Sequence, residues 1–232
     1  RRTPAVTPAE PRQPRLGETK PAADPAALAD AEDWTELAIR EADLARADLA
    51  RLEVRGCVLD HCDLLSADAE ETRWVDTRLD GCSLAGAHFG EASFTRMEVA
   101  DCRLSGIQCF GTRLQDVVFR RCRADGASFR FARGERVWFV ECDLRNAEFV
   151  GAELTGVRFD GCDLTGADFD KARIPDARLH GSTVDGIRSA GGLIRPVIEP
   201  DQVLPFSLSL FALHGVVIDH PDDETLADSD DE

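Results

Sequence analysis

Eight cysteines are the residues of this chain with the most obvious chemistry. Thiolates bind zinc and iron–sulfur clusters, and thiols within reach of each other form disulfides. Six of them, Cys62, Cys82, Cys102, Cys122, Cys142 and Cys162, are spaced by twenty residues. Cys57, His61 and Cys62 also have the ligand types of a zinc site. Whether these groups can act together depends on what element repeats every twenty residues. Neither a helix (period 3.6) nor a strand (period 2) does so.

A shorter repeat supplies the answer. Asp43-Leu44, Asp48-Leu49, Asp63-Leu64, Asp143-Leu144, Asp163-Leu164 and Asp168-Phe169 share one five-residue frame. Its central position is large and apolar at Ile39, Leu59, Leu79, Phe119, Phe139, Phe159 and most positions between, up to Val184. The exceptions are Ala69, Trp74, Cys109, Ala124 and Gly134. Two residues earlier the chain is almost always small, as at Ala42, Ala47, Cys57, Cys62 and Ala67. Glycine recurs one residue before that, at Gly56, Gly81, Gly86 and Gly106, where a corner needs permissive backbone angles. A chain that turns a corner every five residues places the small and the large residue inward. The other three positions face out. Twenty residues are then one coil of four sides, and the six cysteines form one inward column. At ~4.8 Å per coil, seven to eight coils make a rod roughly 36 Å long.

The pattern Ala/Cys-Asp-Leu-x-Gly over residues 37–186 resembles the pentapeptide-repeat family. The resemblance implies an all-β solenoid, a right-handed quadrilateral parallel β-helix with short terminal helices. It also implies two kinds of partner. The first reading for this chain is an interaction scaffold. Some members of the family are acidic rods that imitate duplex DNA, occupy the DNA saddle of gyrase and dimerise through C-terminal segments, which gives quinolone resistance or toxin immunity.

In this frame the cysteines lose their chemistry. Cys57 and Cys62 face inward on adjacent sides, His61 faces outward, and the three do not converge. Ala42 and Ser182 continue the cysteine column at its ends, so cysteine serves there as a small hydrophobe. His88, His180, His214 and His220 share no column and neighbour no nucleophile. No phosphate-binding loop or ordered triad is present. The expectation is a non-enzymatic chain without metal or cofactor, its thiols reduced in a cytoplasmic setting.

Net charge is −17, but it is concentrated at one end. From Pro196 to Glu232 there are ten acidic residues and no lysine or arginine. The repeat body is near balance, no side is strongly basic, and direct nucleic-acid binding is not expected. No apolar run approaches the ~20 residues of a membrane span. Arginine outnumbers lysine 25 to 2, the bias of a GC-rich bacterial source.

The ends depart from the repeat. Residues 1–23, rich in proline, alanine and arginine, read as disordered, and so does the acidic stretch 219–232. Residues 24–36, opening on Asp24-Pro25, read as a helix that caps the first coil with Trp34. Residues 187–218 read as a C-terminal cap whose helix is apolar on almost every side. Val203, Leu204, Phe206, Leu208, Leu210, Phe211 and Leu213 exceed what one cap needs and suit a second copy of the chain.

Within the rod, one stretch breaks the pattern. It holds Val118, Arg120, Arg121, Arg130, Phe131, Arg133, Arg136 and Trp138, with small central residues at Ala124 and Gly134. Arginine beside outward aromatics is the composition of a binding hot spot, so this stretch is the candidate partner surface. The competing account is that Phe131 and Trp138 cover a poorly filled coil. The partner itself is an unidentified protein, with gyrase as the alternative.

Overall fold

Every fifth residue of the repeat body sits in the left-handed region. Gly56, Gly81 and Gly151 do so, and so do His61, Asp76, Asp116 and Phe131, with φ between 53° and 66°. A non-glycine residue in that conformation is strained. The fold accepts the strain because each such residue turns the chain through one corner. The computed structural model describes residues 9–22, 28–29 and 31–216. Four corners close one coil, and successive coils stack in parallel register twenty residues apart.

The first side of the coil stacks Trp34 on Val54, Trp74, Phe94, Leu114, Gly134 and Leu154. The second side stacks Ile39, Leu59, Leu79, Val99, Phe119, Phe139 and Phe159. In the middle coils these two sides form single strands, Arg73–Asp80, Ser93–Ala100, Arg113–Arg120 and Arg133–Val140. The third and fourth sides are tighter and join by isolated bridges such as Asp63↔Ser83 and Gln108↔Ser128. There the Asp of the Asp-Leu pair has a local task. Asp43, Asp48, Asp63, Asp68, Asp143, Asp163 and Asp168 each accept the N–H two residues on, closing the turn.

All eight cysteines are free and buried. In the column their thiols donate to carbonyls, as Cys122 Sγ does to Val99 O (3.4 Å) and Arg120 O (3.4 Å). Burial pushes Cys109 up to about 12 and raises Cys57, so these two thiols stay neutral.

The small central residues have a reason other than poor filling. Phe119, Phe139 and Phe159 stack on the second side at 4.9 and 5.3 Å, and Phe129, Phe149 and Phe169 on the fourth at 5.3 and 5.2 Å. The two columns meet edge to face across the interior, at 5.5 Å for Phe129 and Phe139. Ala124 and Gly134, on the sides between, leave room for the rings. At Gly134 the backbone has closed in so far that a Cβ would lie 2.2 Å from the Leu114 carbonyl oxygen.

Both ends differ from the sequence expectation. Asp33–Thr35 is a strand paired with Glu53–Arg55, so the solenoid starts before residue 37 and Trp34 is a core residue of the first coil rather than part of a cap. Its indole N–H donates to the Leu28 carbonyl (3.1 Å), and Leu28 is buried over it. Residues 23–27 and 30, which include the start of the expected capping helix, lie outside the described residues. So do 1–8 and 217–232, which hold the whole of the expected acidic tail. Residues 9–22, expected to be without structure, lie against the rod, and Lys20–Pro21 pairs with Leu37–Arg40. At the far end the frame shortens by one residue, pairing Ile174 with Leu193 and Arg178 with Val197. The expected helix follows as α1, Val203–Leu213. Gly215, at φ 67°, ends it, with the Val216 N–H reaching back to Phe211 O (2.9 Å). Among the described residues no helix is long and apolar enough to cross a membrane.

Candidate partner-binding surfaces

The residues singled out in the arginine-aromatic stretch do not form one surface. The stretch from Val118 to Trp138 wraps a full coil, so it is spread over several sides. Val118, Arg120 and Trp138 lie on the second side, and Arg121 on the corner after it. Arg130 lies on the fourth side, Phe131 on the corner between the fourth and first sides, and Arg133 on the first side. Arg136 lies on the corner between the first and second.

Several of them are engaged within the chain. Val118 is only 5% exposed despite its outward position. Trp138 is half-buried, and the Arg158 guanidinium from the next coil sits 4.4 Å from its ring centroid. Such a contact is a cation–π interaction that holds the indole down. Arg121 makes a two-pronged pair with Asp101 at 2.7 and 2.6 Å. The hydrogen bond to Arg121 and its charge hold the Asp101 carboxyl below the usual range. Arg136 pairs with Asp116, which is 2% exposed, and also with Glu135 (2.8 Å).

Phe131 is different. It is 46% exposed and meets Phe110, 49% exposed, edge to face at 5.4 Å. The Arg130 guanidinium is 5.9 Å from the Phe131 centroid and 3.4 Å from Glu148. The Phe131 ring reaches over the next coil because residue 151 is glycine. A Cβ there would lie 2.6 Å from the ring. Two exposed rings with a flanking arginine form a ridge at the fourth–first corner. Sequence reasoning missed Phe110. The available signal was an aromatic in an outward position, one column step below Arg130. Beyond the corner, Arg133, Arg113, Glu135 and Thr155 line a shallow groove on the first side where the Gly134 backbone is inset.

At the C-terminal end, Gln202 anchors α1 by donating to the carbonyls of Leu179 and Ser182 (both 2.6 Å). Ser209 Oγ donates to Ile187 O (2.6 Å), and Phe206 is buried. Leu210 is partly buried against the core. Val203, Leu204, Leu208, Phe211 and Leu213 remain exposed. Cys57 and Cys62 face inward while His61 bonds Asp60 (2.6 Å) on the outside, and among the described residues no group of potential ligands gathers.

A family model of the pentapeptide repeat region matches residues 72–149 and 112–188, which together span half of the chain. The chain belongs to the pentapeptide-repeat family. The solved structures similar to this pentapeptide-repeat protein include full-length QnrB1, a plasmid-mediated fluoroquinolone resistance protein. The match is 20% identical over 78% of this chain and 99% of QnrB1, with a TM-score of 0.39. They also include HetL, involved in heterocyst differentiation regulation in the cyanobacterium Nostoc sp. It is 20% identical over 67% of this chain and 84% of HetL, with a TM-score of 0.30. No curated protein matches the sequence. Likeness at these levels leaves function to be argued from the chain's own surface.

Proposed function

We propose that this chain is a non-enzymatic scaffold that captures a protein partner on the Phe110–Phe131 ridge. The exposed edge-to-face pair carries the reading. Large rigid rings beside an arginine are the usual anchors of a protein interface, and a solenoid presents them without a pocket. Duplex mimicry would ask for a sustained row of carboxylates. The outward column of the third side instead runs Asp43, Asp63, Ser83, Arg103, Arg123 and Asp143.

The test compares immobilised wild type with Phe110→Ala/Phe131→Ala as bait, beside thermal melts of both. Loss of a hot spot worth ~2 kcal/mol weakens capture about thirtyfold. The expected result is a protein retained by wild type and lost by the variant, with both folded. Equal retention by both would end the reading. Inhibition of gyrase supercoiling that survives the double substitution would favour the duplex-mimic alternative.

The same scaffold reading includes self-association through α1. Its exposed Leu204, Leu208 and Phe211 form an apolar face at the end of the rod, with Val203 and Leu213 exposed beside it. Sedimentation at micromolar concentration should give twice the monomer mass, and Leu204→Glu/Phe211→Glu should return a monomer. A monomer at all concentrations would remove this part of the proposal.

A further inference from the structure

The first–second corner carries a different surface, and the chain already covers it. Along this corner run Glu36, Gly56, Asp76, Arg96, Asp116 and Arg136. Arg96 Nε and Nη2 donate to the two carboxylate oxygens of Asp76 (both 2.6 Å), and Arg136 reaches back to Asp116 in the same way. A carboxylate therefore appears every second coil, about 9.6 Å apart at ~4.8 Å per coil.

Residues 12–15 run along this corner against the direction in which the solenoid grows, and by Lys20 the chain has turned onto the second side. The Arg12 N–H donates to Asp116 Oδ1 (3.1 Å), and the Arg15 N–H to Asp76 Oδ1 (2.9 Å). Further along, the Lys20 N–H donates to Glu36 O (2.8 Å) and the Ala22 N–H to Ala38 O (3.1 Å). Three residues of strap thus cross two coils of rod. The sequence there is Pro11-Arg12-Gln13-Pro14-Arg15, with a proline before each donor. Proline fixes φ near −65°. The polyproline-II helix it favours has three residues per turn at ~3.1 Å each, about 9.3 Å per turn, and no internal hydrogen bonds. Its pitch matches the carboxylate spacing, so the Arg12 and Arg15 N–H groups, three residues apart, each meet an acceptor.

We infer that the first–second corner is a docking site for a polyproline-II peptide with a Pro-x-x-Pro-x repeat, filled in cis by residues 9–16 of the same chain. Recognition rests on two backbone N–H groups reading a carboxylate ladder, a charge-assisted contact. Pro11 is buried, while the Arg12 and Arg15 side chains are exposed. Both acceptors are kept ionised. Arg96 and then the Arg15 N–H hold Asp76 below the usual carboxylate range. Burial pushes Asp116 up, but Arg136 and the Arg12 N–H outweigh it and leave it lowered. A preformed polyproline-II segment loses little conformational freedom on docking. A partner bearing the same repeat would enter by displacing the strap.

The full-length chain tests this through Arg12→Pro/Arg15→Pro, which deletes both donors, keeps the polyproline-II preference and changes no solenoid residue. With the native cysteines buried, Gln13→Cys takes a nitroxide label selectively. The label should be immobilised in the parent and mobile in the double-proline chain. A fluorescent peptide of residues 9–16 should then bind the double-proline chain at least tenfold more tightly than the parent, whose site is filled. A peptide with the same two prolines should bind neither. Equal label mobility in the two chains would overturn the inference. So would equal peptide affinity, including no binding to either.

Discussion

Asp116 and Phe131 occupy the same position of the repeat, at φ 58° and 57°, yet one is 2% exposed and the other 46%. The frame gives them the same backbone. What separates them is the residue one coil away. Asp116 finds Arg136 above it and the strap N–H of Arg12 beside it, and the charge disappears into a ladder. Phe131 finds Gly151 above it and Gly111 below, so nothing covers the ring, and Phe110 leans on it. The outer surface of the solenoid is therefore written in columns of period twenty, while its core is written in period five. A corner column of paired opposite charges stabilises the rod. A corner column of glycines around an aromatic makes a rim that a partner can grip.

Removing the charge ladder should have the largest effect. Arg136→Ala leaves the Asp116 carboxylate nearly buried and short of its main partner, at a cost of about 2–3 kcal/mol. Phe131→Ala should cost less than about 1 kcal/mol, as expected for a half-exposed corner residue. Urea unfolding at pH 7 measures both. The sign with pH follows from the lowered Asp116 carboxyl. A carboxylate lowered on folding stabilises above its unfolded value of ~3.9, and that contribution is lost as pH falls through the folded value. The gap between wild type and Arg136→Ala should therefore narrow as pH drops below about 4. A larger loss from Phe131→Ala than from Arg136→Ala would reverse the assignment of the two corners.

Much of the architecture was legible because burial repeats every five residues with no slip from Ile39 to Val184. The cysteine spacing showed four sides, and the Asp-Leu pairs set the frame, while the turns that their carboxylates close appeared only in the structure. The surface was less legible, because outward residues meet partners twenty positions away rather than neighbours in sequence. Trp138 reads as an exposed anchor until Arg158 is seen over its ring. Phe110 was passed over altogether, and it gains a role only when Phe131 is placed beside it. The strap was missed for another reason. Proline-rich sequence without hydrophobic period has no core of its own, and only the ladder opposite Arg12 and Arg15 gives it a place.

A smaller effect separates the rim from its backbone. Gly151 and Gly126 both lie in the left-handed region, at φ 66° and 63°. Replacing either by alanine costs about 1 kcal/mol of backbone strain. Their surroundings differ: a Cβ at 126 meets nothing within 4 Å, while one at 151 would lie 2.6 Å from the Phe131 ring. Both variants should lose similar stability, but only Gly151→Ala should tilt Phe131 away from Phe110 and weaken partner capture. In a Phe131→Ala background the obstruction is gone, so adding Gly151→Ala should cost the strain alone and change capture no further. That non-additivity is the signature of two residues in direct contact. Equal weakening of capture by Gly126→Ala and Gly151→Ala would mean that coil rigidity, rather than the aromatic rim, governs binding.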